Sequence, residues 1–210
     1  MNSLARILKS KIIAIIRGSH PDDVPRIVES LYEGGIELVE ITMNSPQALD
    51  LIRKLSIHWG EKMLVGAGTI LEPGDARKAI DAGAQFILSP TTDEWTIRVT
   101  RQNNVISIPG AFTPTEILQA YSMGGDIIKV FPARMGPEYI RDIRAPLPHI
   151  PMMPTGGVNL ENIREFRNAG AVAFGIGSAL VNAREKVNDE SLAHLKNRAT
   201  SFVRSIAAFE

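Results

Sequence analysis

"GGDIIKVFPA" (residues 124–133) reads as a short strand that is apolar on both faces, with Ile127, Ile128, Val130 and Phe131 surrounding Lys129. A strand of this kind belongs to a parallel sheet covered by other elements, because a sheet with one wet face alternates apolar and polar residues. The lysine does not fit such a strand. Its ammonium is strongly hydrated and is seldom buried without a partner. The stretch therefore poses two linked questions: what encloses the strand, and what the buried amine is for.

The same pattern recurs along the chain. "KIIAIIR" (11–17), "ELVEIT" (37–42), "MLVGAGT" (63–69), "QFILSP" (85–90), "VISIPG" (105–110), "IIKVFPA" (127–133), "PMMPTGG" (151–157) and "AVAFGIGS" (171–178) are all strand-like. The intervening segments, such as "PDDVPRIVESLYEGG" (21–35) and "EPGDARKAIDAGA" (72–84), open with Pro or Asp, close with Gly and carry apolar residues on one face, as helices do. Eight strand–helix units without a linker predict an α/β fold, a single-domain (β/α)8 TIM barrel spanning residues 1–210. "MNSLARILKS" (1–10) reads as a short amphipathic N-terminal helix. An open Rossmann or flavodoxin-like sheet is the alternative. It lacks its usual G-x-G-x-x-G after the first strand, where "IIRGSHPDD" stands.

Composition narrows the chemistry. The 23 basic and 23 acidic residues cancel, which leaves no electrostatic footprint for nucleic acid or an acidic membrane. No apolar run approaches the ~18 residues of a membrane span. The N-terminus lacks the apolar centre of a signal peptide, and the absence of Cys excludes disulfides and thiolate chemistry, so a cytoplasmic location is expected. His20, His58, His149 and His194 are too scattered to form a metal-binding pattern, and no metal or other cofactor is expected. Lysine, carboxylates, hydroxyls and backbone amides remain.

In a barrel the C-terminal strand ends converge on one mouth, which brings together Arg17, Glu40, Thr69, Ser89, Gly110, Lys129, Thr155 and Ser178. Strand alternation places Lys129 on the face of Ile127, towards the lumen, and Glu40 on the face of Leu38 and Thr42. Lys129 is then either a structural lysine, snorkelling or paired with a carboxylate, or a nucleophile. Lowering its pKa from about 10.4 to ~7 takes roughly 4 to 5 kcal/mol of destabilisation of the ammonium. An apolar lumen and a nearby cation such as Arg17 could supply that, and the neutral amine could then form a Schiff base with a ketone. Glu40 is either an ion-pair partner of Lys129 or Arg17, or the group that moves protons in such chemistry. Gly66 and Gly68 in "VGAGT", Gly156 and Gly157 in "PTGGV", and Gly177 with Ser178 in "GIGSAL" offer close backbone approach to an anion, reinforced by following helix N-termini. Trp59, Trp95 and Phe112 read as packing or interface residues.

Taken in order and spacing, "VEIT", "VGAGT", "FILSP", "IPGAFTPTE", "IIKVFPA", "PTGGV" and "GIGSAL" resemble the 2-keto-3-deoxy-6-phosphogluconate (KDPG) / 4-hydroxy-2-oxoglutarate (KHG) aldolase family over nearly the whole chain. The resemblance implies a metal-free class I aldolase, a lyase of carbohydrate metabolism, usually a homotrimer. Such an enzyme releases pyruvate and either glyceraldehyde 3-phosphate or glyoxylate from a keto-acid substrate. It places the Schiff-base lysine at Lys129 and the acid/base glutamate at Glu40. The pyruvate carboxylate falls to Thr69, and the distal phosphate to Gly156, Gly157, Gly177 and Ser178. Thr155 lies near the substrate hydroxyls, and Pro90 closes "FILSP" beside the substrate. Many bacterial members carry an arginine four residues after the glutamate. Here Asn44 occupies that position, and Arg17 is the cation expected to replace it. "NSP" resembles instead the enzymes acting on the C4 epimer, 2-keto-3-deoxy-6-phosphogalactonate, whereas Thr155 resembles the gluconate branch. A phosphosugar isomerase or synthase, and a non-catalytic barrel that binds a phosphorylated metabolite, are the competing readings.

Overall fold

A computed structural model describes residues 2–207. Nine strand segments occur: β1 (Ile12–Ile16), β2 (Leu38–Thr42), β3 (Leu64–Gly68), β4 (Phe86–Leu88), β5 (Ile106–Ile108), β6 (Gly110–Ala111), β7 (Ile128–Val130), β8 (Met152–Pro154) and β9 (Phe174–Ile176). Helices follow α1 (Ser3–Ser10): α2 (Val24–Glu33), α3 (Ala48–Trp59), α4 (Pro73–Asp81), α5 (Glu94–Gln102), α6 (Pro114–Ser122), α7 (Pro137–Arg144), α8 (Ile163–Asn168) and α9 (Asp189–Ala207).

Every pairing between these strands is parallel, in two ribbons ordered β5-β4-β3-β2-β1-β9 and β6-β7-β8. Two seams join the ribbons into a barrel. At one, β5 runs into β6 through Pro109, which has no N–H to extend the ladder but whose carbonyl still accepts from the Lys129 N–H at 2.9 Å. At the other, Thr155 bridges to Gly175 in parallel. The eight expected staves are present, with the fifth broken by its proline.

Strand alternation sorts the apolar residues into two layers. Ile13, Leu38, Leu64, Phe86, Leu88, Ile108, Ile127 and Met153 fill the lumen. Their neighbours Ile12, Ala14, Val39, Ile41, Val65, Ile128 and Val130 pack outwards under the helices. Strands apolar on both faces are the consequence, as at 124–133. The amphipathic α1 closes the lower end of the barrel by inserting Ile7 into the lumen layer. It is capped by Asn2, whose Oδ1 accepts from the Ala5 N–H at 2.8 Å. Among the described residues no helix is long and apolar enough to cross a membrane.

Candidate active site

Lys129 and Glu40 project into the upper lumen from β7 and β2. Lys129 is 3% exposed and Glu40 is fully buried. No ion pair within 4.0 Å joins them, and neither carboxylate oxygen of Glu40 has a hydrogen-bond partner among the described residues. Burial pushes the Glu40 carboxyl well above its ordinary value, with the charges of Lys129 and Arg17 opposing. Burial pushes the Lys129 amine below its ordinary value; the Glu40 charge opposes this and Arg17 reinforces it. Desolvation dominates for both groups, so each is driven towards its neutral form. The Phe131 ring covers one side of the amine, with its centroid 5.0 Å from Nζ.

The mouth above this pair is a cavity of about 420 Å³ lined by Ile15, Arg17, Lys129, Phe131, Arg134, Thr155, Gly156, Gly157, Val158, Asn159, Gly175, Gly177, Ser178 and Ala179. At one side Arg17 donates from Nη1 to Asn44 Oδ1 and from Nη2 to Thr69 Oγ1, both at 3.1 Å. Asn44 thus holds the arginine that follows β1 in place. Thr69 has a left-handed backbone, φ 58°, which turns its hydroxyl towards Arg17 at the end of β3. The Thr155 hydroxyl is buried without a hydrogen-bond partner among the described residues, and it occupies the space a Cβ on Gly175 would need. At the other side Gly156 and Gly157 adopt φ 80° and 105°, which glycine allows without strain. The N–H groups of Gly156, Gly157, Ser178 and Ala179 have no protein acceptor among the described residues. Such a concave set of free donors suits an anion.

Two expectations need correcting. Gly66 and Gly68 do not turn their backbone towards an anion: both lie inside β3. Their missing side chains make room for neighbours. A Cβ on Gly68 would fall 1.6 Å from Glu40 Oε1, and one on Gly66 would fall 2.1 Å from the Phe86 ring. Nor do long helices start at the later glycines, since α8 begins only at Ile163 and α9 only at Asp189. A single turn follows Gly177 instead, with its carbonyl accepting from the N–H groups of Leu180 and Val181. Pro90 is half-buried and packs under Gly110 without reaching the cavity. Glu40 and Thr69 stand behind its wall.

Gly68→Ala is accordingly expected to displace the Glu40 carboxyl and to lower stability by about 1–3 kcal/mol, as overpacking does. Denaturant unfolding measures the second effect. An unchanged midpoint would show that the carboxyl has room elsewhere.

Arg134 was missed from the sequence. It sits on the 3-10 turn Ala133–Met135 after β7, which is tied to the end of β8 by the Ala133 N–H donating to the Thr155 carbonyl at 2.8 Å. Its position directly after a barrel strand was the available signal, because all such loops share one mouth.

The arrangement defines a class of protein: a (β/α)8 barrel whose C-terminal mouth holds a desolvated lysine and carboxyl below a basic cavity. The model of the family described as "Aldolase: KDPG and KHG aldolase" matches residues 4–197, and the chain belongs to that family. It is 34% identical over 199 residues to the 2-dehydro-3-deoxy-6-phosphogalactonate aldolase of Escherichia coli K12, covering 94% of this chain and 95% of that one. A solved structure described as native KDPGal superposes with a TM-score of 0.88 at 32% identity, covering 94% of each chain. The KDPG aldolase of Legionella pneumophila, solved with pyruvate captured as a covalent carbinolamine intermediate, gives a TM-score of 0.85 at 25% identity over 96% of this chain and 98% of that one.

Proposed function

We propose that this chain is a class I aldolase that splits 2-keto-3-deoxy-6-phosphohexonates into pyruvate and glyceraldehyde 3-phosphate, with 4-hydroxy-2-oxoglutarate as an unphosphorylated substrate giving glyoxylate. One observation carries the reading: a buried amine driven towards neutrality beside a carboxyl whose oxygens have no hydrogen-bond partner among the described residues. The neutral Lys129 Nζ attacks the C2 ketone to give a carbinolamine; Glu40, starting as its neutral acid, protonates the departing hydroxyl, so that water leaves and a protonated iminium faces the Glu40 carboxylate. Glu40 takes the proton of the C4 hydroxyl. The C3–C4 bond then breaks, its electron pair moving to the iminium nitrogen, and the aldehyde leaves. Glu40 returns the proton to C3 of the enamine, and water releases pyruvate from Lys129.

Arg17, oriented by Asn44 and Thr69, holds the substrate carboxylate. Thr155 meets the substrate hydroxyls. Gly156, Gly157, Gly177 and Ser178 hold the distal phosphate. The chemistry requires no cofactor. We further propose that residues 1–210 form one catalytic domain, that it works as a homotrimer and that it acts in the cytoplasm.

A lactate-dehydrogenase-coupled assay comparing the gluconate and galactonate phosphates with 4-hydroxy-2-oxoglutarate tests the reading. Pyruvate release is expected from at least one C4 epimer, and its absence from all three substrates would refute the assignment. The galactonate epimer gains weight from the 34% identical E. coli relative.

A further inference from the structure

We infer that Arg134 makes this site selective for substrates carrying a distal phosphate. This deepens the function proposed above and rests on that reading. Among the described residues three cationic side chains line the cavity, Arg17, Lys129 and Arg134, and no acidic side chain does. Arg17 is committed to Asn44 and Thr69 on one side, and Lys129 is buried at the floor. Arg134 is exposed and has no hydrogen bond or ion pair among the described residues.

Its placement is fixed by backbone. The turn that carries it is tied to the Thr155 carbonyl, and its stem lies against Gly157, where a Cβ would come 3.4 Å from Arg134 Cγ. The Gly157 carbonyl is held in turn by the Asn162 side-chain amide at 2.9 Å. Arg134 therefore lines the same cavity as the free N–H groups of Gly156 and Gly157, a combination of charge and neutral donors suited to a phosphate dianion. Cations on two sides of a neutral amine fit a substrate with two anionic ends. An unphosphorylated keto acid with a shorter tail has nothing to offer Arg134.

Arg134→Ala should lower kcat/KM for the 6-phosphohexonate by roughly 10- to 100-fold, the usual effect of losing a charge-assisted hydrogen bond. For 4-hydroxy-2-oxoglutarate it should change by less than about 2-fold, since surface substitutions away from the contact are near neutral. Arg134→Lys should recover part of the loss, because charge without the planar fork serves phosphate less well. Binding of glycerol 3-phosphate by calorimetry gives a readout that needs no turnover: the wild type should bind it, and Arg134→Ala at least tenfold more weakly. Equal binding by both proteins, no binding by the wild type, or equal kinetic losses on both substrates would overturn the role of Arg134. A wild type that binds glycerol 3-phosphate through Arg134 but cleaves nothing would overturn the aldolase reading and leave this inference standing.

Discussion

Lys129→Ala is expected to reduce pyruvate release below detection, a loss on the order of 10⁴-fold or more, as for other covalent nucleophiles. No other lysine can stand in, because Lys129 is the one that lines the cavity. Lys129→Met makes the same prediction more discriminating. Methionine keeps most of the volume and removes an amine that the lumen desolvates. The variant should be inactive and at least as stable as the wild type in thermal unfolding. A structural lysine predicts the reverse, an active enzyme with lowered stability.

Glu40→Gln should preserve binding and lower kcat by about 10² to 10⁴, the range for losing a general acid–base group. It should also change the pH dependence of stability. The Glu40 carboxyl has a folded pKa raised above its ordinary 4.5, so the folded protein binds the proton more tightly than the unfolded chain. That contribution is fully present below pH 4.5 and is lost as pH rises through the raised value. Glutamine is neutral throughout. The melting temperature of Glu40→Gln relative to the wild type should therefore climb as pH rises across that window. A difference that falls across the same window would mean that attraction to Lys129 and Arg17 outweighs burial.

Which residues share the lumen could be read from strand parity alone. The period of two that places Ile127 and Leu38 inside also places Lys129 and Glu40 there, so the central pair followed from local pattern. Features that depend on contacts between distant strands were not legible. The close approach of Gly68 to Glu40 depends on the stagger of β3 against β2, and the bridge from Thr155 to Gly175 depends on where the barrel closes. No periodic signal marks a glycine as the space for another residue's carboxyl, so "VGAGT" reads as anion-binding backbone although Gly68 makes room for Glu40. Arg134 is weakly marked for a different reason: its position after β7 points to the mouth, but a solvated cation on a three-residue turn looks like any surface arginine until the neighbouring stave places Gly157 against its stem. The break in the fifth stave was not legible either, since nothing in "VISIPG" shows that the Pro109 carbonyl carries the pairing to the Lys129 N–H between β5 and β6.

Catalysis as proposed here depends on one buried amine that bonds covalently to a keto acid. Incubating the protein with pyruvate and borohydride, digesting it and weighing the peptides tests this directly. A single reduced pyruvate adduct is expected, on Lys129. An adduct on another lysine, or an active enzyme that acquires none, would contradict it.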